Sequence, residues 1–201
     1  MMLKDSSSSN YLFIDTSFAP TWGLYNGSKW LHYEQSTDRK ASDFLHIQLY
    51  EMLKRHSLEV HDVKIILSLG PGSYTGMRLI QGIKDIFELE GLSLFSFFHF
   101  EVPKLLGVQE GEWITKAFKG EVYSYTWSKD KEEKTRKPLD GHFDLTLFGQ
   151  GIDDFIYEST SEMIYEEAHD LFDKISQRLD QSDIFYFREL NEEFPIKSKT
   201  K

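Results

Sequence analysis

The sequence predicts an α/β chain folded as two lobes, and three observations carry that expectation. Short apolar runs of strand length alternate with two longer segments of helical spacing. An antiparallel meander, not a helix, opens the chain. A second set of strand-like runs begins near Gly111, after Gly107 and Gly111 flank Val108-Gln109-Glu110. On this reading residues 1–10 are a tail, 11–107 the N-terminal lobe, 108–190 a reduced C-terminal lobe and 191–201 a second tail.

Tyr11 to Thr16 is an apolar run ending in Asp15-Thr16-Ser17, a strand with a polar exit. Trp22 to Tyr25 and Trp30 to Tyr33 flank Asn26-Gly27-Ser28-Lys29, a turn signal between two strands. Ser42 caps a helix running to about His56. Val63 to Leu69 reads as a buried central strand, broken at Gly70-Pro71-Gly72-Ser73. A second helix spans about Thr75 to Glu90, with Gly91 as its stop. Leu92 to Phe98 reads as a strand and Phe100 to Leu106 as a short helix. In the second half, Trp113 to Phe118 and Val122 to Trp127 form a hairpin around Lys119-Gly120. Lys129 to Lys137 has no apolar residue and reads as a solvated loop. Phe143 to Phe148 is a further strand. Ser159-Thr160-Ser161-Glu162 is a capping box for a helix with Ile164, Ala168, Leu171, Phe172 and Ile175 on one face. Ile184 to Arg188 reads as a late strand.

Composition narrows the function classes. With 201 residues, 40% hydrophobic and 15% aromatic, the chain can bury a core. It has no cysteine, which excludes a disulfide scaffold, a thiolate zinc site and a cysteine nucleophile. Lys+Arg 23 against Asp+Glu 33 gives a net charge of −10, a poor basis for binding phosphate backbones. From Asp153 to Asp173 there are eight acids and no Lys or Arg, which reads as a solvated helix face. The polar N-terminus lacks the apolar stretch of an export signal, and nothing approaches a spanning helix, so a cytoplasmic location is expected.

Two polar segments could hold a site. Gly70-Pro71-Gly72-Ser73-Tyr74-Thr75-Gly76 lies between a buried strand and a helix, where backbone N–H groups can cradle an anion. It lacks the Gly-Lys-Ser/Thr ending of a Walker loop and puts Tyr74 where a nucleophile elbow has serine. The plainer reading is a tight turn, with Gly72 and Gly76 chosen for backbone geometry. Asp15-Thr16-Ser17 could hold a metal-bound phosphate or simply start a turn. The seven His residues show no His-Glu-x-x-His pattern, and each reads as surface or core. Spacing alone names no acid–base dyad.

The first helix is more informative. Leu45, Leu49, Met52 and Leu53 share one face, and Phe44, Ile47 and Tyr50 fall opposite. Two stripes mean either a helix sandwiched inside the fold or one whose outer face meets a partner. The second helix has Leu79, Ile80, Ile83, Ile86 and Phe87 on one side, with Arg78, Gln81, Lys84, Asp85 and Glu88 on the other.

Four segments fall in a familiar order: Leu12-Phe13-Ile14-Asp15-Thr16-Ser17, Gly70 to Arg78, Gly120-Glu121-Val122-Tyr123 and Tyr186-Phe187-Arg188. In this order they resemble the TsaB (YeaZ) family over about residues 11–190, the Gly-Pro-Gly-Ser-Tyr/Phe-Thr-Gly-x-Arg element being specific. The resemblance implies an actin-like ATPase (ribonuclease H-like) fold in two lobes. It implies a non-catalytic scaffold for the TsaD-like paralogue that installs threonylcarbamoyl on N6 of tRNA adenosine 37, with a TsaE-like accessory ATPase as a further partner. Pairing with the paralogue, and self-association as a dimer, would use the two N-terminal helices, here Phe44, Ile47, Tyr50, Arg78 and Gln81. No cofactor is implied for the isolated chain, ATP or ADP belonging only to the complex, and no direct tRNA binding.

The chain departs from the family pattern at Ala41, where histidine is usual after Arg39-Lys40, at Ile47, where proline is common, and at Lys116-Ala117-Phe118, where the family has Asp-Ala-Arg. Lys116 and Phe118 remove an acid and a base from the inter-lobe cleft. The competing expectation is a small actin-fold nucleotide-binding or phosphotransfer enzyme, using Asp15, Thr16, Gly70 and Gly72 around a nucleotide. Such chemistry wants carboxylates from both lobes around magnesium.

Overall fold

The computed structural model describes residues 9–37, 41–117, 120–139, 143, 145–152, 156–178 and 183–185, with the side chains of 41 and 42 left aside. Expectations at residues 1–8, Arg39, Lys40, Phe118, 186–190 and 191–201, and the cap at Ser42, lie outside these. Two five-stranded mixed sheets organise the chain.

The first sheet contains β1 (Tyr11–Asp15), β2 (Thr21–Tyr25), β3 (Trp30–Gln35), β4 (Lys64–Ser68) and β5 (Leu94–Phe97), in the order β3-β2-β1-β4-β5. The first three strands form the antiparallel meander, while β4 and β5 add in parallel. The second sheet contains β6 (Gly111–Lys116), β7 (Glu121–Trp127), β8 (Glu132–Pro138), β9 (Leu147–Gln150) and β10 (Glu158–Ser159), in the order β10-β9-β6-β7-β8. Read from the other edge, this is the order of the first sheet again: a meander of three, then two parallel strands on its first member.

The connections differ between the sheets. Helix α1 (Ala41–Arg55) links β3 to β4, and α2 (Tyr74–Leu89) links β4 to β5. Ser73 caps α2, its hydroxyl accepting from the Gly76 N–H at 3.1 Å, and Gly91 ends the segment with φ +68°. A 3-10 turn at His99–Glu101 leads into the short α3 (Val102–Leu105). Between β8 and β9 no helix occurs among the described residues. After β10 come α4 (Thr160–Glu166) and α5 (Ala168–Ser176), so the single helix expected from the capping box is broken at Glu167.

Alternation along β1 and β4 loads both faces of the first sheet. Leu12, Ile14, Ile65 and Leu67 pack with Leu45, Leu49, Met52, Leu53, Met77 and Ile80 of α1 and α2. Tyr11, Phe13 and Ile66 face the other way, onto Phe97, Val102, Leu171, Phe172 and Ile175. The face expected along 164–175 is therefore a core face, and it covers the first sheet from the far end of the sequence. Phe172 is its hub, with ring centroids 5.6 Å from Tyr11, 5.7 Å from Phe13 and 5.9 Å from Tyr25.

Three local expectations need correction. Lys129 to Lys137 is a loop only as far as Lys131: from Glu132 on, β8 runs through it as the edge strand paired with β7. An edge strand is held by its backbone ladder and needs no apolar side chains, and charges there suit an edge open to water. Lys134 sets its ammonium over Phe100 and Phe185, 4.7 Å and 4.9 Å from the ring centres. The strand expected at Phe143 to Phe148 starts later, at Leu147. Within the expected late strand, Ile184 and Phe185 are not in a strand, although the Phe185 N–H donates to the Leu69 carbonyl at 3.3 Å.

The hub position of Phe172 sets an expectation. Phe172→Ala should lower the stability of the whole chain by about 3–5 kcal/mol, the usual cost of emptying a buried aromatic site. Denaturant unfolding of both proteins would measure it, and a loss within about 0.5 kcal/mol, typical of surface changes, would contradict the packing described.

Candidate functional site

Asp15 ends β1 and points into the seam between the sheets, 3% exposed. One carboxylate oxygen accepts the Ser17 N–H at 2.8 Å. The other lies 2.9 Å from Nε2 of His99, whose side chain is fully buried. Burial pushes the Asp15 carboxyl up, but the charge and hydrogen bond of His99, with the hydrogen bonds of Ser17, more than offset it. The carboxyl is held below its ordinary range. An ionised carboxylate only accepts, so Nε2 of His99 carries the bridging proton. The other ring nitrogen, Nδ1, lies 3.2 Å from Thr160 Oγ1 at the start of α4. That hydroxyl receives the Trp113 indole N–H at 3.4 Å and donates to the Gly149 carbonyl at 3.3 Å. A continuous polar chain therefore joins β1 of the first sheet to β6 and β9 of the second.

The glycine segment closes around the same loop. A Cβ on Gly72 would sit 2.4 Å from Ser17, and one on Gly76 would sit 1.8 Å from the Thr16 carbonyl. Both glycines are thus demanded by close backbone approach, which is the plainer of the two sequence readings. The Ser73 N–H donates to the Ser17 carbonyl at 2.7 Å, and Thr16 Oγ1 donates to the Gly76 carbonyl at 2.6 Å. These groups hold residues 15–17 against 70–76. Gly70 has φ +99°, and a Cβ there would meet Met77 Sδ at 2.6 Å.

Both oxygens of Asp15 are engaged, and Lys116 is exposed at the end of β6. Gly151 follows β9 with φ +70°, and a Cβ there would lie 2.9 Å from the Phe18 ring. Among the described residues no group of three or more His, Asp or Glu could hold a metal ion. His99 and Thr160 were not singled out by spacing. The one hint is a histidine set inside the apolar run Phe97-Phe98-His99-Phe100, where a buried ring needs a partner.

A second feature lies on the outer side of α1 and α2. The stripe Leu45, Leu49, Met52 and Leu53 is buried, whereas Phe44, Ile47 and Tyr50 are 53%, 46% and 62% exposed. Of the two readings of α1, the sandwiched one fails. On α2, Ile86 was expected on the core side but is 59% exposed, because the apolar arc of the helix is wider than the sheet beneath it can cover. Between the helices runs an apolar groove of about 960 Å³, whose walls include Leu49, Leu53, Leu79, Ile83 and Phe87. Arg78 lies on this groove. Gln81 lies off it, its amide donating to Asp85 at 2.5 Å. No described helix is long and apolar enough to cross a membrane.

The buried pair generates a pH expectation. Folding lowers the Asp15 pKa, so the unfolded chain binds the extra proton as pH falls. The pair therefore stabilises the fold fully above the ordinary carboxylate value, 3.8, and its contribution is lost as pH drops through the lowered value. Asp15→Asn should cost about 3–5 kcal/mol at neutral pH and flatten the acid limb of stability against pH. Denaturant midpoints measured across acid and neutral pH would check this. Parallel curves for the two proteins would contradict it.

No family model matches the chain, and no curated protein matches it. Solved structures do. An uncharacterized Pseudomonas aeruginosa protein with similarity to peptidase YeaZ is 17% identical, with a TM-score of 0.59 over 90% of this chain and 100% of its own. YeaZ from Pseudomonas aeruginosa is 18% identical, with a TM-score of 0.52 over 80% of this chain and 91% of its own. At such identities the likeness is one of fold. The repeated strand order and these neighbours give the chain an actin-like ATPase fold, the fold that YeaZ has.

Proposed function

We infer that the chain is a non-catalytic scaffold subunit of the machinery that places threonylcarbamoyl on N6 of adenosine 37 in tRNA. It binds its catalytic, TsaD-like paralogue through α1 and α2. The observation that carries this reading is the exposed stripe Phe44, Ile47 and Tyr50 beside an apolar groove. Large apolar side chains left facing water on one helix have a clear role in a complex. The engaged carboxylate of Asp15 supports the non-catalytic half of the reading, and the ordered motifs shared with the TsaB (YeaZ) family supply the chemistry. In the free chain a second copy would meet the same face. The tRNA is held by another subunit, since this chain carries −10.

The test is co-purification with the TsaD-like paralogue encoded in the same genome. Burying an isoleucine is worth roughly 1.5–3 kcal/mol, and an unpaired carboxylate in its place costs several more. Ile47→Glu should therefore weaken the complex by at least about 100-fold, two steps of 1.4 kcal/mol, with little change in monomer melting temperature. Leu49→Glu, on the buried stripe, should unfold the lobe. Stable binding of Ile47→Glu to the paralogue, or no binding by the wild-type chain, would defeat the proposal. Transfer activity should appear only with the paralogue present.

A further inference from the structure

The three residues Asp183-Ile184-Phe185 cross the seam between the sheets without joining either of them. Ile184 packs against the core that the first sheet shares with α1 and α2. Phe185, the next residue, packs against the aromatic cluster of the second sheet. Its ring lies 6.0 Å from Phe98, 5.8 Å from Phe100 and 5.4 Å from Tyr123, steeply inclined to each, the geometry that ring quadrupoles favour. The ammonium of Lys134, on β8, caps it at 4.9 Å. The backbone is received by the segment that follows β4. The Phe185 N–H donates to the Leu69 carbonyl, and a Cβ on Gly70 would stand 3.3 Å from the Phe185 carbonyl. Two successive residues therefore grip both lobes.

What holds this segment is slighter than what holds the elements beneath it. Its backbone hydrogen bond is 3.3 Å long, beyond the range of about 2.7–3.2 Å typical of such bonds. No ladder continues that bond, and Ile184 and Phe185 are only half-buried. Phe172, which also reaches the first sheet from the far end of the sequence, is by contrast fully buried. A segment with few buried contacts and no ladder opens far more readily than the whole domain unfolds. Its tether keeps the opened segment close to the slot, so weak contacts suffice to bring it back.

We propose that Ile184–Phe185 is a strap that locks the seam. It lifts and reseats as a unit while both sheets stay folded, and when seated it pins Leu69 and Gly70, at the exit of β4, to the aromatic cluster of the second sheet. The strap covers Phe98, Phe100 and Tyr123, so its release is also what uncovers them. The device does not depend on the docking function proposed above, and either can fail alone.

Hydrogen exchange of the full chain, resolved amide by amide, is the first test. The Phe185 N–H should exchange at least about 100-fold faster than the amides of β1, at a rate that low denaturant leaves unchanged, as local openings do. Phe185→Ala should reduce the protection of the β1 amides by no larger a factor than that by which the Phe185 N–H is protected in the wild type, because the lifted state already lacks the contact. The second test reads the lock. The chain has no cysteine, so Gln48→Cys on α1 and Ser128→Cys after β7, both exposed, can carry spin labels. The distance between the labels should be narrowly distributed with Phe185 present and widen in Phe185→Ala. Phe95→Ala, which removes a half-buried ring from the other face of the first sheet, should leave it narrow. Exchange of the Phe185 N–H at the rate of the β1 amides, or a Phe185→Ala chain that no longer folds, would overturn the proposal. So would an unchanged distance distribution in that variant, or equal widening by Phe95→Ala.

Discussion

Everything at the seam between the sheets follows from one buried charge. Asp15 ends a strand that is apolar on both faces, so its carboxylate cannot reach bulk water and must be matched within the protein. His99 supplies the match, and its other nitrogen carries the polar chain on to Thr160, Trp113 and Gly149. The same pair joins β1 to the second sheet, and the glycine segment that the sequence allows as a phosphate cradle holds the Asp15 loop.

With the seam closed, the outward surface of the first sheet's helices becomes the chemically distinctive part. The sheet is covered on one side by α3 and α5, which reach it from after β5 and from beyond the second sheet. On the other side α1 and α2 cover it but are themselves left with apolar residues facing out. Helix propensity gives no advantage to Phe44, Ile47, Tyr50 or Ile86 in water. Gly82 makes α2 weaker than it need be.

Local features of this arrangement were legible in the sequence, and long-range ones were not. Gly72 and Gly76 announced a tight strand-to-helix connection, and the two stripes of α1 left open a covered or an exposed outer face, of which the structure shows the exposed one. The meander and the β-branched central run were legible as strands, whereas the order in which β4 and β5 join the meander was not. The partnership of Asp15 with His99 joins residues 84 positions apart, and no local periodicity encodes it. The strand at Glu132–Pro138 was hidden because edge pairing is satisfied by backbone groups while the side chains carry only charge. The burial of Phe172 was visible as a helical stripe, but the sheet it covers was not, since a stripe states that a face is buried and not against what.

The central proposal is that Asp15, paired with His99, serves the seam and not a nucleotide, and that the chain's task is docking. Isothermal titration of the purified chain with MgATP tests it directly. The account predicts no binding heat beyond dilution. Saturable micromolar binding by the isolated chain would contradict the account.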